Sequence, residues 1–372
     1  MNAKRRRLSI VLIVLALVAG GGTAIALLHD KTAPAAATAG TGDAKQGWRR
    51  IEPGGECQCA NGGKFSFWER PADPKKVVLF LNGGGVCWDA KMCALTSTDS
   101  PGENHNYAWT LQSAEQPDNG QGLFDLGRAD NPFAGYSVIY LSSCTGDAHL
   151  GNVARKYSPT LTVQHRGLVN GTATLDYLAQ HYPDAAQVVV IGKTAGSIAA
   201  PIYGGLVADR LPHARVTVFG GQSGAWPDNP DFNAKVLVDD WGAYRAVPAW
   251  AVAGLTGREW GIPTFWVLVA RHVPGIVLAR FDYAYDSHAA VEVTAWMPGH
   301  PPDLLSVIDA DQAAVEKAGV TLHGYTAPGD SHGIFESEDF YNLQVGGVSP
   351  AAWLGQLIAG KSPADVHCDK CH

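Results

Sequence analysis

The sequence VVVIGKTAGSIAAP, residues 188–201, joins an apolar, β-branched run to a stretch of helical character through a turn of small residues. A strand, a sharp turn and a helix in this order can expose a nucleophile at the tip of the turn, as in the motif Gly-x-Ser-x-Gly. In this chain the motif reads G-K-T-A-G, residues 192–196, so Thr194 occupies the position of the serine. The stretch therefore predicts a strand–turn–helix unit and makes Thr194 the first candidate for a reactive group.

The residues of this turn leave three interpretations open. In the first, Thr194 is a nucleophile beside a helix N-terminus, which favours developing negative charge, although its methyl group restricts the χ1 torsion. In the second, Thr194 is only a helix N-cap, a role that threonine often takes. In the third, Ser197 supplies the reactive hydroxyl, although it lies one helical turn beyond the tip.

Patterns of two kinds alternate along the rest of the chain. Short, apolar, β-branched runs predict buried parallel strands at residues 77–81, 137–141, 187–192, 214–220, 264–270 and 320–326. Helical patterns are clearest at residues 165–181, 195–211 and 303–319. This alternation predicts the α/β class, with a doubly wound and mostly parallel sheet.

Two irregular stretches interrupt this alternation. Residues 88–136 show little periodicity, and residues 225–260 share with them a high content of Trp, Asp and Pro. Long segments without a regular pattern are usually ordered insertions near a functional site. We expect both stretches to form walls of a pocket.

The composition is typical of a globular protein with a large core. Of the 372 residues, 46% are hydrophobic, and the net charge is −7. Outside the N-terminus the sequence has no long run of like charge, which argues against a nucleic-acid-binding surface. Without the N-terminal segment about 330 residues remain, enough for one large α/β domain or two small ones.

The N-terminus has the features of an exported protein. Four basic residues, 4–7, precede the uncharged apolar stretch 8–28, which is long enough to span a bilayer. Small residues follow, with A-x-A cleavage sites that end at Ala37 or Ala39. The sequence leaves open whether the segment is cleaved as a signal peptide or retained as a membrane anchor.

These features divide the chain into three parts. They are a signal peptide or membrane anchor (1–28), a flexible linker (29–46) and an α/β domain (47–372). Because the basic end stays inside, we expect the domain to be extracytoplasmic, either anchored by residues 8–28 or secreted after cleavage.

Seven cysteines are present, at positions 57, 59, 87, 93, 144, 368 and 371. In an exported chain cysteines are expected to pair, and an odd number leaves at least one unpaired. Cys87 and Cys93 lie in one loop and are the best candidates for a disulfide. The C-terminal residues 368–372 read C-D-K-C-H, which is also a haem-attachment pattern. We favour a disulfide or a loose tail over haem, and over a metal site that would include His367.

Three loops that follow predicted strands carry glycine-rich or polar motifs. They are LNGGGVCW (81–88), GKTAGS (192–197) and APGDSHGIF (327–335). Because the carboxyl ends of parallel strands meet at one edge of a sheet, we expect these loops to form one site. The consecutive glycines 83–85 suit backbone N–H donors that face a developing oxyanion, and the alternative is a simple tight turn.

His332 in the last of these loops is the candidate general base. It follows the last predicted strand, and a histidine late in the chain fits the order nucleophile, acid, histidine that α/β-hydrolases use. The acid is then expected between Thr194 and His332. Asp282 and Asp286 are both candidates.

Six blocks of the sequence, taken in order, resemble the pectin acetylesterase family of α/β-hydrolases. They are LNGGGVCW, LSSCTGDAHLG (141–151), HRGLVN (165–170), GKTAGSIAAP, FDYAYDSHA and PGDSHGIFESEDFYNLQVGGVSPAAWL. The resemblance extends from about residue 50 to residue 368 and looks closest to bacterial, exported members. It implies an α/β-hydrolase-like fold with irregular insertions, and an esterase that uses a Ser-His-Asp triad.

The resemblance also implies a role for individual residues of this sequence. The nucleophile position falls on Thr194, the acid on Asp286 and the base on His332. The implied oxyanion-hole donors are the backbone N–H groups of Gly84, Gly85 and Ala195. The residues implied near the substrate, in the pocket wall, are Trp88, Asp147 and His149.

The chain departs from the family pattern at three positions. Thr194 replaces the elbow serine, Asn82 stands where glutamate is common, and Gln222 stands where aspartate is common. Three explanations of Thr194 remain open: a slow nucleophile, a serine-to-threonine variant, or a family member that has lost catalysis and binds ligand only.

The sequence therefore predicts an exported carboxylesterase that hydrolyses acyl or acetyl esters of small molecules or carbohydrates. It predicts no metal and no organic cofactor, and the membrane at the N-terminal segment is the other expected partner. One competing interpretation is a catalytically silent, ligand-binding member of the same fold. Another is an exported electron-transfer protein that uses the terminal C-x-x-C-H.

Overall fold

The computed structural model describes most of the chain from residue 47 onward. The described residues are 38–40, 47–98, 101–111, 117, 120–222, 226, 228–297, 303–368 and 370–371. The predicted signal peptide or membrane anchor, residues 1–28, lies outside them, and of the predicted linker only Thr38–Gly40 is described before residue 47. Within these ranges no helix is both long enough and apolar enough to cross a membrane.

The strands form one large sheet and one separate hairpin. In chain order they are β1 (Thr38–Gly40), β2 (Arg49–Glu52), β3 (Phe67–Arg70), β4 (Asp73–Leu81), β5 (Tyr136–Leu141), β6 (Val153–Ser158), β7 (Leu161–His165), β8 (Gln187–Lys193), β9 (Arg215–Gly221), β10 (Val277–Tyr283), β11 (His323–Ala327) and β12 (Val366–His367). The large sheet has the order β1-β2-β3-β5-β4-β8-β9-β10-β11-β12, and β6 pairs with β7. Neighbours from β5 to β12 are parallel, and those from β1 to β5 are antiparallel.

Helices connect the parallel strands. In chain order they are α1 (Gly167–His181), α2 (Ala195–Arg210), α3 (Pro230–Phe232), α4 (Ala243–Ala246), α5 (Ile262–His272), α6 (Ser287–Trp296), α7 (Leu304–Lys317), α8 (Asp339–Asn342) and α9 (Pro350–Ile358). A π-helical segment, Asn233–Asp240, continues α3. The predicted α/β class with a mostly parallel sheet is therefore confirmed.

Residues 77–81 of β4 and 188–191 of β8 are apolar and buried because both faces of the sheet are covered there. In β4, Val77, Leu79 and Leu81 belong to one hydrophobic core, and Val78 and Phe80 belong to a second. Successive side chains of a strand point to opposite faces, so each strand supplies both cores in alternation. This burial holds the carboxyl ends of the parallel strands, and the loops that follow them, along one edge of the sheet.

The predicted strand at 264–270 is wrong, because these residues lie in helix α5. Pro263 stands in the first turn of the helix, where proline is tolerated. The side chains of Phe265, Trp266, Leu268 and Val269 are buried, which is the spacing of one helical face. A short apolar run does not separate a buried strand from a buried helix. The strand that pairs with β9 in the sheet is instead β10, which the sequence patterns do not predict.

Three disulfides join six of the seven cysteines. They are Cys59–Cys144, Cys87–Cys93 and Cys368–Cys371, and Cys57 is free. The predicted Cys87–Cys93 pair and the unpaired cysteine are confirmed. For the C-terminal C-x-x-C a disulfide or a loose tail was expected, and it forms the disulfide. Disulfides of this number are typical of proteins that fold outside the cytoplasm.

Candidate active site

Thr194 lies at the tip of the turn between β8 and α2, in a strained backbone conformation. Its φ of 46° and ψ of −113° fall outside the regions that β-branched residues normally adopt. The N–H of Thr194 donates to the carbonyl of Gly221 (3.0 Å), which ties the turn to the end of the neighbouring strand β9. Strain of this kind persists where the surrounding structure enforces it, and it clusters at functional sites.

The glycines on either side of Thr194 are required by close packing of the backbone. A Cβ atom on Gly196 would lie 2.2 Å from the carbonyl oxygen of Leu81, at the end of β4. A Cβ atom on Gly192 would lie 2.4 Å from the carbonyl oxygen of Gly196. The first turn of α2 therefore crosses the ends of β4 and β8 so closely that only glycine fits at both positions.

The three consecutive glycines after β4 lie against the same turn. A Cβ atom on Gly83 would lie 2.2 Å from Oγ1 of Thr194, so this glycine leaves space for the hydroxyl. A Cβ atom on Gly85 would lie 1.9 Å from the carbonyl oxygen of Asn106, and this glycine has a φ of 72°. Gly83 therefore lies directly against the hydroxyl of Thr194, and Gly85 lies against the backbone of Asn106.

Backbone N–H groups near Thr194 are available for an anion. None of the backbone hydrogen bonds found among the described residues uses the N–H of Gly84 or Gly85 as its donor. Ala195 is the first residue of α2, so its N–H has no acceptor within the helix. Donors on a glycine loop and at a helix N-terminus are suited to bind the oxyanion of a tetrahedral intermediate.

His332 and Asp286 form a hydrogen-bonded pair at this edge of the sheet. Nδ1 of His332 lies 2.7 Å from Oδ2 of Asp286. The other carboxylate oxygen accepts hydrogen bonds from the N–H groups of His288 and Ala289, both at 2.9 Å, so that Asp286 also caps helix α6. Because a carboxylate only accepts, Nδ1 of His332 carries the proton and Nε2 is left to act as a base.

Asp282, the other candidate acid, belongs to a different environment. It lies within β10, and its Oδ2 is 3.6 Å from Nε of Arg280, with both side chains buried. The structure therefore brings Asp286, and not Asp282, to His332.

Two contacts hold the loop of His332 against the turn of Thr194. Lys193, which precedes Thr194, forms an ion pair with Glu336. The side-chain amide of Gln222 is oriented so that its nitrogen donates to the carbonyl oxygen of Gly221 (3.0 Å). Its oxygen then accepts a hydrogen bond from the N–H of Gly333 (3.1 Å). Gln222 stands out in the sequence only as a departure from a family pattern, and no local signal reveals these contacts, because they join segments more than a hundred residues apart.

Ser197, the rival hydroxyl, points into the protein. It is fully buried, and its Oγ donates to the carbonyl oxygen of Thr194 at 2.5 Å. The side chain thus closes the first turn of α2 and does not face the glycine loop.

A comparison with known protein families matches residues 54–247 to the family described as Pectinacetylesterase. The chain belongs to the pectinacetylesterase family. The matched segment contains the glycine loop and the turn of Thr194, and it ends before Asp286 and His332. A search of curated protein sequences gives no match.

Among solved structures, the chain is similar to the Wnt deacylase Notum from Drosophila. The two share 13% sequence identity with a TM-score of 0.61, and the match covers 85% of this chain and 95% of that one. At this identity the likeness shows a common fold, the α/β-hydrolase fold. The pectinacetylesterase family is thus assigned from the sequence, and the fold is supported independently by the structure.

In this pectinacetylesterase-family chain, Asp147 and His149 are buried beneath the glycine loop. The carboxylate of Asp147 accepts from the hydroxyl of Thr145 (2.6 Å) and from the N–H of Gly167 (2.8 Å), and burial raises its pKa to about 6. Nε2 of His149 lies 2.7 Å from the carbonyl oxygen of Asn82, and burial lowers the pKa of His149 to about 4. A neutral His149 that donates to this carbonyl fixes the residue just before the glycines.

Trp88, three residues after the last of these glycines, lies in a cluster of aromatic rings. Its ring centroid is 4.9 Å from that of Phe232 and 5.9 Å from that of Trp296. Trp226 packs on Trp296 at 5.1 Å, and its Nε1 donates to the carbonyl oxygen of Gln222 at 3.2 Å. The predicted wall segments 88–136 and 225–260 thus meet here, and Trp296 of α6 completes a cluster that sequence reasoning did not include.

The C-terminal disulfide contacts strand β11 and the loop that follows it, which carries His332. The N–H of Cys368 donates to the carbonyl of Thr326, and the carbonyl of Cys371 accepts from the N–H of Gly329, both at 3.1 Å. The two sulfur atoms pack in a small cluster with Ala284, two residues before Asp286. The tail therefore contacts both segments that carry the acid–base pair.

Proposed function

We propose that the chain is an exported carboxylesterase in which Thr194 is the nucleophile, His332 the general base and Asp286 the acid that orients it. The observation that carries this proposal is the 2.7 Å contact between His332 and Asp286 at the same edge of the sheet as the strained turn of Thr194. Membership of the pectinacetylesterase family supports an ester-cleaving activity.

The proposed reaction begins with transfer of a proton from Oγ1 of Thr194 to Nε2 of His332. The oxygen attacks the carbonyl carbon of the ester, and the carbonyl oxygen becomes an oxyanion bound by the N–H groups of Gly84, Gly85 and Ala195. When the intermediate collapses, His332 gives its proton to the leaving alcohol, and the acyl group remains on Thr194.

The second half of the reaction releases the acid. His332 takes a proton from a water molecule, whose oxygen attacks the acyl carbon, and the same N–H groups bind the new oxyanion. Collapse returns the proton to Oγ1 of Thr194 and frees the carboxylic acid. Throughout, Asp286 holds His332 in the tautomer with Nδ1 protonated and stabilises the imidazolium as it forms.

The substrate class we propose is acyl or acetyl esters, including those of carbohydrates. The description of the family names an acetyl ester, and the similar structure is that of a deacylase. Trp88 and its aromatic neighbours would form an apolar wall beside Thr194. Asp147 and His149 would support the glycine loop, because their polar contacts in the structure are internal to the protein.

We also propose that the N-terminal segment exports the domain, as a cleaved signal peptide or as a retained anchor at residues 8–28. The disulfides Cys59–Cys144, Cys87–Cys93 and Cys368–Cys371 support an oxidising location.

One observation favours a second candidate function, a ligand-binding protein without turnover. The β-branched side chain of Thr194 occupies a backbone conformation that suits small residues, so its methyl group limits the directions in which Oγ1 can point. Such a protein would keep the pocket and the glycine loop but release no product.

The test of the proposed function compares the full chain, in a non-ionic detergent, with His332→Ala on p-nitrophenyl acetate and longer acyl esters. We expect His332→Ala to lower kcat/KM by about 10⁴-fold or more, because the nucleophile loses its base. If both proteins are equally inert on every ester while the native chain still binds ester ligands, the binding protein is the correct interpretation.

Replacing both C-terminal cysteines, Cys368→Ser with Cys371→Ser, is expected to lower kcat by roughly tenfold to a hundredfold, because small displacements of a catalytic group are costly. The loop of His332 would lose the support of the tail at Gly329. Rates of p-nitrophenyl acetate hydrolysis and thermal unfolding curves are the measurements, and Cys57→Ser, at the free cysteine, is the control. A double variant with native kcat would show that the tail does not position His332.

A further inference from the structure

A second histidine packs on the ring of His332. The ring centroids of His288 and His332 are 4.3 Å apart, with an angle of 37° between the planes. His288 is the second residue of helix α6, and its side chain is about half exposed. The mechanism proposed above assigns it no role.

The position of His288 is set by the same carboxylate that orients His332. One oxygen of Asp286 lies 2.7 Å from Nδ1 of His332, and the other accepts from the N–H of His288 at 2.9 Å. Because this second contact also starts helix α6, the beginning of the helix and the orientation of the base are fixed together. The carboxylate of Asp286 therefore holds the two imidazole rings next to each other.

His288 is placed to carry a positive charge. Its Nε2 lies 3.4 Å from Oε1 of Glu292, one helical turn along α6. The hydrogen bond to Glu292 raises the pKa of His288, and the charges of Glu292 and Asp286 act in the same direction, against a smaller opposing effect of burial. His288 thus takes up a proton more readily than an ordinary histidine as the pH falls.

The other charged groups around the two rings belong to helix α6 with its cap and to the loop after β11. Those on the side of α6 are Asp286 and Glu292. The loop after β11 carries His332 itself and Asp330, whose backbone carbonyl accepts from the N–H of Ser287 at 3.2 Å. On the far side of the loop, next to Gly333, Lys193 and Glu336 form an ion pair and offset each other. His288 is therefore the titrating positive charge that the described contacts place in ring contact with His332.

We propose that His288 is a positioning residue whose ring packs on His332 and whose charge opposes a second positive charge on that ring, which keeps the base neutral to lower pH. This inference rests on the proposed role of His332. The sign follows from charge repulsion: a positive charge on His288, in ring contact with His332, disfavours a second positive charge on the neighbouring ring, as like charges within about 4–6 Å do.

The variant His288→Phe tests this inference because it keeps a ring on His332 and removes the charge. We expect the acid limb of the kcat/KM profile to move to higher pH by roughly half a unit to one unit. The control is His272→Phe: His272 also contacts a carboxylate, with Nε2 2.6 Å from Asp209, and also stacks on a ring, that of Trp250 at 4.3 Å. We expect no movement of the acid limb in the control.

A second readout does not depend on turnover. In the full chain, labelled for NMR on histidine, the chemical shift of the His332 ring is followed against pH in the native protein and in His288→Phe. We expect the titration midpoint of His332 to be higher in the variant. If esters are not hydrolysed but this midpoint moves upward, the proposed function fails and the coupling stands. If the midpoint and the acid limb are the same in both proteins, the inference is overturned.

Discussion

Asp286→Asn is expected to lower kcat for ester hydrolysis by about 10⁴-fold, the size of effect seen when the acid of such a triad becomes an amide. An amide in place of the carboxylate can donate to Nδ1 of His332, which favours the tautomer in which Nε2 carries the proton and is no longer a base. The contact that would be lost is the 2.7 Å hydrogen bond to Oδ2 of Asp286. Initial rates with p-nitrophenyl acetate measure the effect.

Asp282→Asn is the matched control, because it makes the same chemical change four residues earlier. Asp282 pairs with Arg280 inside the protein, whereas the carboxylate that contacts His332 is that of Asp286. We expect this variant to lower the free energy of unfolding by roughly 1–3 kcal/mol, since a buried charged contact is weakened, and to leave kcat within tenfold of the native value. A larger loss of kcat in Asp282→Asn than in Asp286→Asn would show that the acid is assigned wrongly.

The second large effect is expected at Thr194. Thr194→Ala removes the hydroxyl and should reduce kcat/KM by about 10³-fold or more, leaving only the contribution of substrate binding and the oxyanion donors. Thr194→Ser should act in the opposite direction and raise kcat by about tenfold. The methyl group of threonine limits the χ1 torsion, and a side chain held away from a rotamer costs about 0.5–1.5 kcal/mol. Because about 1.4 kcal/mol corresponds to a factor of ten in rate, removal of the methyl group is expected to give a gain of about tenfold.

The three forms at position 194 separate the interpretations of the turn. If the native chain exceeds Thr194→Ala clearly, threonine is a working nucleophile. If only Thr194→Ser is active, the rest of the site is competent and the native chain is a disabled enzyme. Equal rates for all three would contradict a role for this residue in turnover. The same three proteins should be compared by thermal unfolding, because relief of strain at the turn would raise the stability of the serine form.

The fold followed from the sequence where burial produced a clear pattern. The strands β4 and β8 were recognised because each is apolar on both faces, as a central parallel strand must be. The strand β10 was missed because Arg280 and Asp282 interrupt its apolar run, and these two side chains pair with each other inside the protein. The sequence predicts a strand where helix α5 lies, because the apolar run 265–270 has no polar residue to reveal the helical period.

The sequence predicts those parts of the candidate site whose residues lie close together along the chain. The turn of Thr194 and the loop of His332 were found from motifs, since each motif lies within a few consecutive residues. The choice between Asp282 and Asp286 required the resemblance to a family, because the residues alone do not show which carboxylate faces His332. The contacts of Gln222 with Gly333 depend on how distant segments meet, and no local pattern encodes that.

The central claim, that Thr194 attacks the substrate, is tested most directly by covalent labelling. A fluorophosphonate reacts with an activated hydroxyl: an O–P bond forms, fluoride leaves, and the proton passes to His332. Trypsin would release residues 194–210 as one peptide that holds both Thr194 and Ser197. Fragmentation of this peptide by mass spectrometry should place the phosphonate on Thr194, with no adduct in Thr194→Ala. An adduct on Ser197, or ester hydrolysis by a chain that never acquires an adduct on Thr194, would contradict the account.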